Sequence, residues 1–258
     1  MAKPFLPTIL EAKAKEVAAL EMEELKPLRS TYRLYEFLKN HQKQLQVIAE
    51  VKKASPSMGD INLDIDILEQ AKRYEEAGAA MISVLTDPLF FKGDIDFLAR
   101  ISDKVTIPTL AKDFIIDEIQ IYEAKILGAS AILLICAILT LDEIKYFMKI
   151  AKELELDVLL ETHDEKEVQM ALLSGADIIG INNRNLNTFE VSIDTTIKLL
   201  ELIPKDKIVV SESGFDNEND IKKIKNTRVN AILVGESFMR TDDILGKAKL
   251  FRKSFVGD

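Results

Sequence analysis

Eight short apolar runs recur along this chain: LQVIAEVK, AAMISVLTD, VTIPTLAKDF, ASAILLICA, LDVLLETH, ADIIGINN, KIVVSES and NAILVGES. Each is rich in Val, Ile and Leu without apolar/polar alternation, which suits a strand covered on both faces. Their C-terminal ends carry Glu50, Lys52, Lys112, Glu161, Asn182, Glu212 and Gly235, so charge gathers where buried strands stop. Between them lie segments of period near 3.6, such as DILEQAKRYEEAG, DEIQIYEAKILG, LDEIKYFMKIAKELE and EKEVQMALLSG. Several close at a glycine suited to a helix C-cap, as Gly78, Gly128 and Gly175 do.

Strand then helix, eight times over, predicts an α/β chain with a parallel sheet closed into a (β/α)₈ TIM barrel; an open doubly wound sheet is the alternative. In such a barrel the strand interiors pack the core, while the strand ends and βα loops build the active site. A chain of 258 residues with 47% hydrophobic content matches one barrel domain. Residues 1–45 precede the repeat. Ile9, Leu10, Val17 and Leu20 are helix-spaced there on a background of Lys and Glu, predicting an N-terminal helical extension.

Composition narrows the function. A formal charge of −9 argues against a nucleic-acid groove, which needs clustered Lys and Arg, but leaves room for a locally cationic pocket. No apolar run approaches the roughly 20 residues of a membrane span, and MAKPFLPTILEAKAKEV lacks the apolar centre of a signal peptide, so a cytoplasmic protein with no membrane partner is expected. A monomer or weak homo-oligomer is the expected state. Cys136, the single cysteine, excludes an internal disulfide and reads as a small buried residue on a strand. His41 and His163 lack ligand spacing, so no metal site is expected.

EVKKASPS is the densest signal. Glu50 and Lys52 are two apart and share a side of the strand, whereas Lys53 points to the rim. They are either chemical groups or a salt bridge sealing the barrel top. The following MGDINLDID has the polar, small-residue character of a mobile loop. Lys112 ends the third strand, where a second ammonium or an apolar pocket would weaken its hold on its proton and make it a usable acid. Asp113 alternates outward to pair or cap. Phe91 and Phe114 follow the second and third strands, either to hold a flat apolar ligand or to pack under loops. Glu161 ends an apolar run, so its pKa should be raised unless it is paired, which suits a general base. His163 lies past the strand end and reads as a solvated loop residue.

Asn182 and Arg184 leave the sixth strand as an orienting amide and a cation, with Asn183 and Asn185 as turn residues. The last two strands end in SESGF and LVGESFM. Barrels often bind phosphate with these two loops, and Ser213, Gly214 and Gly235 are small enough for close backbone approach; tight turns alone are the other reading.

EVKKASPS, PTLAKDF, the Glu161 strand, INNRNL, SESG and LVGESFM, in this order from about Ile9 to Arg240, resemble the indole-3-glycerol-phosphate synthase family. The resemblance implies a (β/α)₈ barrel with an N-terminal helical extension and a ring closure on carboxyphenylamino-deoxyribulose 5-phosphate, with loss of carbon dioxide and water and without a cofactor. It makes Lys112 the acid and Glu161 the base. Lys52 would hold the departing carboxylate, and Glu50, Asn182 and Glu212 would orient the lysines and the substrate hydroxyls. Phe91, Phe114, Leu133, Ile135 and Leu186 would form the ring slot, with Arg184 near the substrate carboxylate. Ser55, Ser213, Gly214, Gly235 and the Glu236 amide would hold phosphate. Two positions depart from the family pattern: Glu236, whose carboxylate should point away from a phosphate, and Asp94, where serine is common. A phosphoribosylanthranilate isomerase-like enzyme would need a cysteine at the end of the first strand, where Glu50 to Lys52 stand. A non-catalytic phosphosugar-binding barrel would have lost a lysine or Glu161, and all are present.

Overall fold

The computed structural model describes residues 5–20, 33–42, 44–186 and 188–256. Eight parallel strands close into a barrel: β1 (Gln46–Val51), β2 (Met81–Leu85), β3 (Thr109–Lys112), β4 (Ala131–Ile135), β5 (Asp157–Thr162), β6 (Ile178–Asn182), β7 (Ile208–Glu212) and β8 (Ala231–Val234). β8 pairs with β1, so no strand edge is left open. Closure, not the open sheet, is the outcome.

The period of two along each strand sorts the side chains. Ile48, Met81, Leu110, Leu159, Ile178, Val210 and Ala231 face into the barrel and pack together. Their alternates Val47, Ala49, Ile82, Ala111, Leu160, Ile179, Val209 and Ile232 face out, onto the helices. Continuing the inward parity two residues further gives Glu50, Lys112, Glu161, Gly180 then Asn182, Glu212, and Gly235. The site is therefore the top inward layer of the barrel, built by the same alternation that builds its core.

The helices between strands start at well-formed caps. Asp66, Asp94, Asp117, Thr140, Asp164 and Asn217 each accept a backbone N–H from the first turn. Asp94, one of the two departures, is thus a helix cap for Ile95–Lys104. Two boundaries differ from the sequence reading. VTIPTLAKDF supplies only Thr109–Lys112 as strand: Val105 closes the preceding helix, and Pro108 has no N–H to give a ladder. Cys136 lies in a short 3₁₀ turn after β4, buried as expected but not on a strand. MGDINLDID begins with a small hairpin, Gly59–Asp60 pairing antiparallel with Ala54–Ser55.

Among the described residues, the N-terminal extension forms two helices with separate duties. α1 (Phe5–Val17) lies at the strand ends' side. There its buried Lys13 sits 2.8 Å from Asp113 and 3.3 Å from Asp87, on the loops after β3 and β2. Asp113 therefore pairs, as one of its two readings had it. α2 (Leu34–Asn40) covers the opposite end: Leu34 and Leu38 join the barrel-interior cluster, and the Tyr35 N–H donates to Asp157, the first residue of β5. Residues 21–32 lie outside the described residues.

Candidate active site

The strand ends open into a cavity of about 750 Å³. Glu50, Lys52, Lys112, Glu161 and Asn182 line it, as do Arg184, Phe91, Phe114, Leu133, Ile135, Leu186, Ser55, Ser213, Gly214, Gly235 and Glu236. Glu212 alone of the expected set does not line it. It lies 1% exposed behind Lys112, whose Nζ donates to its Oε2 at 2.6 Å.

Lys112 sits between two carboxylates, 2.6 Å from Glu212 and 3.6 Å from Glu161. Burial favours its neutral amine, but Glu212, Glu161 and Glu50 outweigh burial and raise its proton affinity. The expectation of a weakened hold is thus reversed. Three acids, not a second ammonium, surround this lysine, and attraction beats desolvation.

The two carboxylates diverge. Burial pushes Glu161 up, but Lys112 and His163 overcome it and hold it down to about 2. Glu212 is pushed up to about 7 by burial and by repulsion from Glu161 and Glu50, against the pull of Lys112. Because one lysine serves both, the protons belong to the cluster rather than to either residue. Glu161 falls on the paired side of the expectation, and the group poised near neutrality is Glu212. Its Oε1 has no hydrogen-bond partner among the described residues.

Glu50 and Lys52 form an ion pair at 2.6 Å. Both borders of this cluster depend on absent side chains. A Cβ on Gly180 would overlap Glu212 Oε1, and one on Gly235 would overlap Glu50 Oε1 and meet Lys52 Nζ. Lys53 stands at the rim with its ammonium 4.9 Å from the Phe97 ring centroid.

On one side of the mouth Phe91 and Phe114 lie 6.1 Å apart by ring centroids, and Leu133 and Ile135 rise beside them from β4. Asp87 holds this wall: its Oδ1 accepts from the N–H of Phe90 at 2.7 Å and of Phe91 at 3.3 Å. Across the mouth, Asn182 Oδ1 accepts from the Arg184 N–H at 3.0 Å and from Ser213 Oγ at 2.9 Å, tying two loops together. Ser213 and Gly214 both have positive φ, 68° and 93°, which turns the loop sharply at the strand end. Glu236 begins the short helix after β8 and pairs with Arg240 at 3.0 Å, so its carboxylate is engaged along its own helix.

Two residues differ in setting from the sequence expectation. His163 is not a solvated loop residue: its ring packs between Glu161 and Glu167 at 3.2 and 2.9 Å. Asn183 is buried rather than a turn residue, bonding Ser211, Ser213 and Thr196. Lys247, on the last helix, reaches the mouth and Asp216 at 3.0 Å, and no strand-end position marks it in the sequence. Among the described residues, no group of three or more His, Cys, Asp or Glu is placed to hold a metal ion, and no helix is long and apolar enough to cross a membrane.

Comparison with known proteins agrees with this geometry. The family model for indole-3-glycerol phosphate synthase matches residues 6–250. Curated relatives of that name share 57% identity in Streptococcus mutans and 55% in Streptococcus thermophilus, over 96% of this chain and 97% of each relative. Among solved structures, 3-hexulose-6-phosphate synthase from Salmonella typhimurium aligns with a TM-score of 0.67 at 15% identity. The alignment covers 82% of this chain and 99% of that one, a likeness of fold alone.

Proposed function

The chain belongs to the indole-3-glycerol phosphate synthase family, and from that premise we propose that its barrel mouth closes the indole ring of 1-(2-carboxyphenylamino)-1-deoxyribulose 5-phosphate, releasing carbon dioxide and water. The observation that carries the reading is one protonated lysine lodged between two buried carboxylates, beside an aromatic slot.

The substrate's aryl ring lies in the slot of Phe91, Phe114, Leu133, Ile135 and Leu186. Its phosphate lies on the backbone N–H groups of Gly214, Gly235 and Glu236, with the Ser55 and Ser213 hydroxyls beside it. Lys52 and Arg184 face the carboxylate that departs. As the aryl carbon attacks the ketone, negative charge grows on that oxygen, and Lys112 Nζ gives it a proton. The developing alkoxide is a stronger base than an amine, so a lysine held firmly protonated still transfers. The carboxylate then leaves as carbon dioxide, its C–C electron pair restoring the ring. The hydroxyl takes a proton from the Lys52 ammonium and leaves as water, and Glu161, ionised across the neutral range, takes the proton from the CH2 carbon beside the ring nitrogen, which completes the pyrrole. Glu50 and Glu212 hold the two lysines in register.

A direct test mixes purified protein with that substrate, without added metal, and follows indole fluorescence. The chain contains no Trp, so the background is tyrosine alone. Indole emission that appears with the wild type and disappears with Lys112→Ala supports the reading. No emission from folded wild-type protein refutes it.

A further inference from the structure

Glu161 is gripped from outside the cavity by a group the proposed reaction does not use. His163 follows β5 by one residue and does not line the main cavity; it borders two neighbouring clefts instead. Its Nε2 makes an ion-pair contact with Glu161 Oε1 at 3.2 Å, out of line for a hydrogen bond, and its Nδ1 is hydrogen-bonded to Glu167 Oε2 at 2.9 Å. That Glu167 oxygen also accepts the His163 backbone N–H at 2.8 Å. Glu167 is itself fixed, because its N–H donates to the cap residue Asp164 at 2.9 Å. The ring is thus clamped between two carboxylates from different elements.

A neutral imidazole carries one N–H. In this clamp it would serve one carboxylate and turn a lone pair on the other. Only the imidazolium, with an N–H on each nitrogen, suits both. We propose that His163 is a standing counter-charge to Glu161, a positioning residue that keeps the carboxylate ionised and aimed while Lys112 gives up its proton. The inference rests on the roles given above to Lys112 and Glu161.

The need for it follows from charge. Before reaction Glu161, 3% exposed, has Lys112 on one oxygen and His163 on the other. When the Lys112 N–H bond breaks and its proton goes to the substrate oxygen, the electron pair stays on nitrogen and the lysine is neutral. A buried carboxylate left with no cation would gain proton affinity steeply. His163 keeps one cation in place through that step.

Burial favours the neutral ring, but the two carboxylates facing it, Glu161 and Glu167, outweigh burial and push the His163 pKa up to about 10. The other charged groups near it are Asp164, Glu165 and Lys166 on its own loop and helix, Arg184 and Glu190 from the loop after β6, and Asp194 and Lys198 from the next helix. Cys136, whose Sγ donates to the Glu167 carbonyl at 3.7 Å, is kept protonated by burial.

The chain's two histidines make the test clean. In ¹H–¹⁵N spectra of the wild-type protein without substrate, His163 should show two protonated ring nitrogens at pH 8. A neutral His163 ring at pH 8 overturns the proposal. His163→Gln keeps an N–H donor but no charge. It should lower kcat/KM about tenfold at pH 6 and move the acid limb of the profile up by about one unit, a tenfold change in proton affinity, with KM within about threefold. Glu167→Gln should move the limb in the same direction by less. A pH-independent loss in His163→Gln would mean a merely structural role and sink the idea. The spectra remain decisive if that variant does not fold. Normal activity in Lys112→Ala or Glu161→Gln would instead remove the assigned mechanism, and the spectra would still report the clamp.

Discussion

The two ends of one barrel obey opposite rules. At the N-terminal end, α2 closes the interior with Leu34 and Leu38, both fully buried against Ile48, Met81, Leu110 and Ile208. At the other end the same strands deliver Glu50, Lys112, Glu161 and Glu212 to an open mouth with barely enough cations to balance them. A buried ion pair roughly breaks even against an apolar pair of the same shape. The mouth therefore adds little to stability, and the plugged end and helix-covered wall must supply what it costs. Chemistry and stability are separated along the strand axis.

The largest break of this contrast should come from the plug. Leu38→Ala removes a fully buried side chain and leaves a cavity where α2 seals the strands, costing about 3 to 5 kcal/mol of stability. The folded fraction should keep kcat within about twofold. Denaturant unfolding alongside activity would check both, and a kcat loss matching that of a mouth variant would show that the ends are coupled.

Lys112→Ala is the reverse case. Its kcat should fall at least about a hundredfold, the usual size of a general-acid contribution, with substrate affinity within about tenfold because phosphate and ring contacts remain. Single-turnover measurements separate the two. Near-normal kcat with a large loss of affinity would make Lys112 a binding residue and pass the acid role to Lys52.

The sequence shows the contrast only partly. Strand count, closure and the inward parity of Glu50, Lys112, Glu161, Asn182 and Glu212 are written in the apolar runs, because a period of two carries a residue's facing from core to mouth. Proton affinities are not, since they depend on which charges converge from strands far apart in the chain. Glu212 and Glu161 come from β7 and β5, yet they share one lysine, and that reverses what Lys112 looked like alone. His163 and Asn183 are illegible in the sequence for a related reason: their partners, Glu167 and Thr196, come from helices whose packing no local pattern encodes. Lys247 reaches the mouth only because the last helix folds back beside it.

A subtler difference between the ends should appear with pH. Glu212 carries a folded pKa of about 7 above an unfolded value near 4.5. A raised folded pKa contributes stability that is complete below the unfolded value and lost as pH rises through the folded one. Wild-type melting temperature should therefore decline between about pH 5 and 7, over and above other groups, and Glu212→Gln should lack that decline. His163 adds stability that is complete below its ordinary value of 6.5 and is lost as pH rises from there to about 10. Identical pH profiles for wild type and Glu212→Gln would show that Glu212 is ionised throughout.

The smallest expected effect lies at Glu236, and it sharpens the contrast by asking how far the mouth tolerates negative charge. Repulsion falls with distance and is screened by solvent, so a carboxylate beside a phosphate matters only if it faces it. Glu236 is half-buried, paired with Arg240 one turn along its own helix, and its backbone N–H is what the proposed phosphate site uses. Glu236→Ser removes the charge and keeps that N–H. Substrate affinity, and competition by inorganic phosphate, should change by less than about tenfold, roughly 1.4 kcal/mol. Tightening beyond that would mean that the carboxylate faces the phosphate and that this chain accepts a weaker substrate complex than a serine would give.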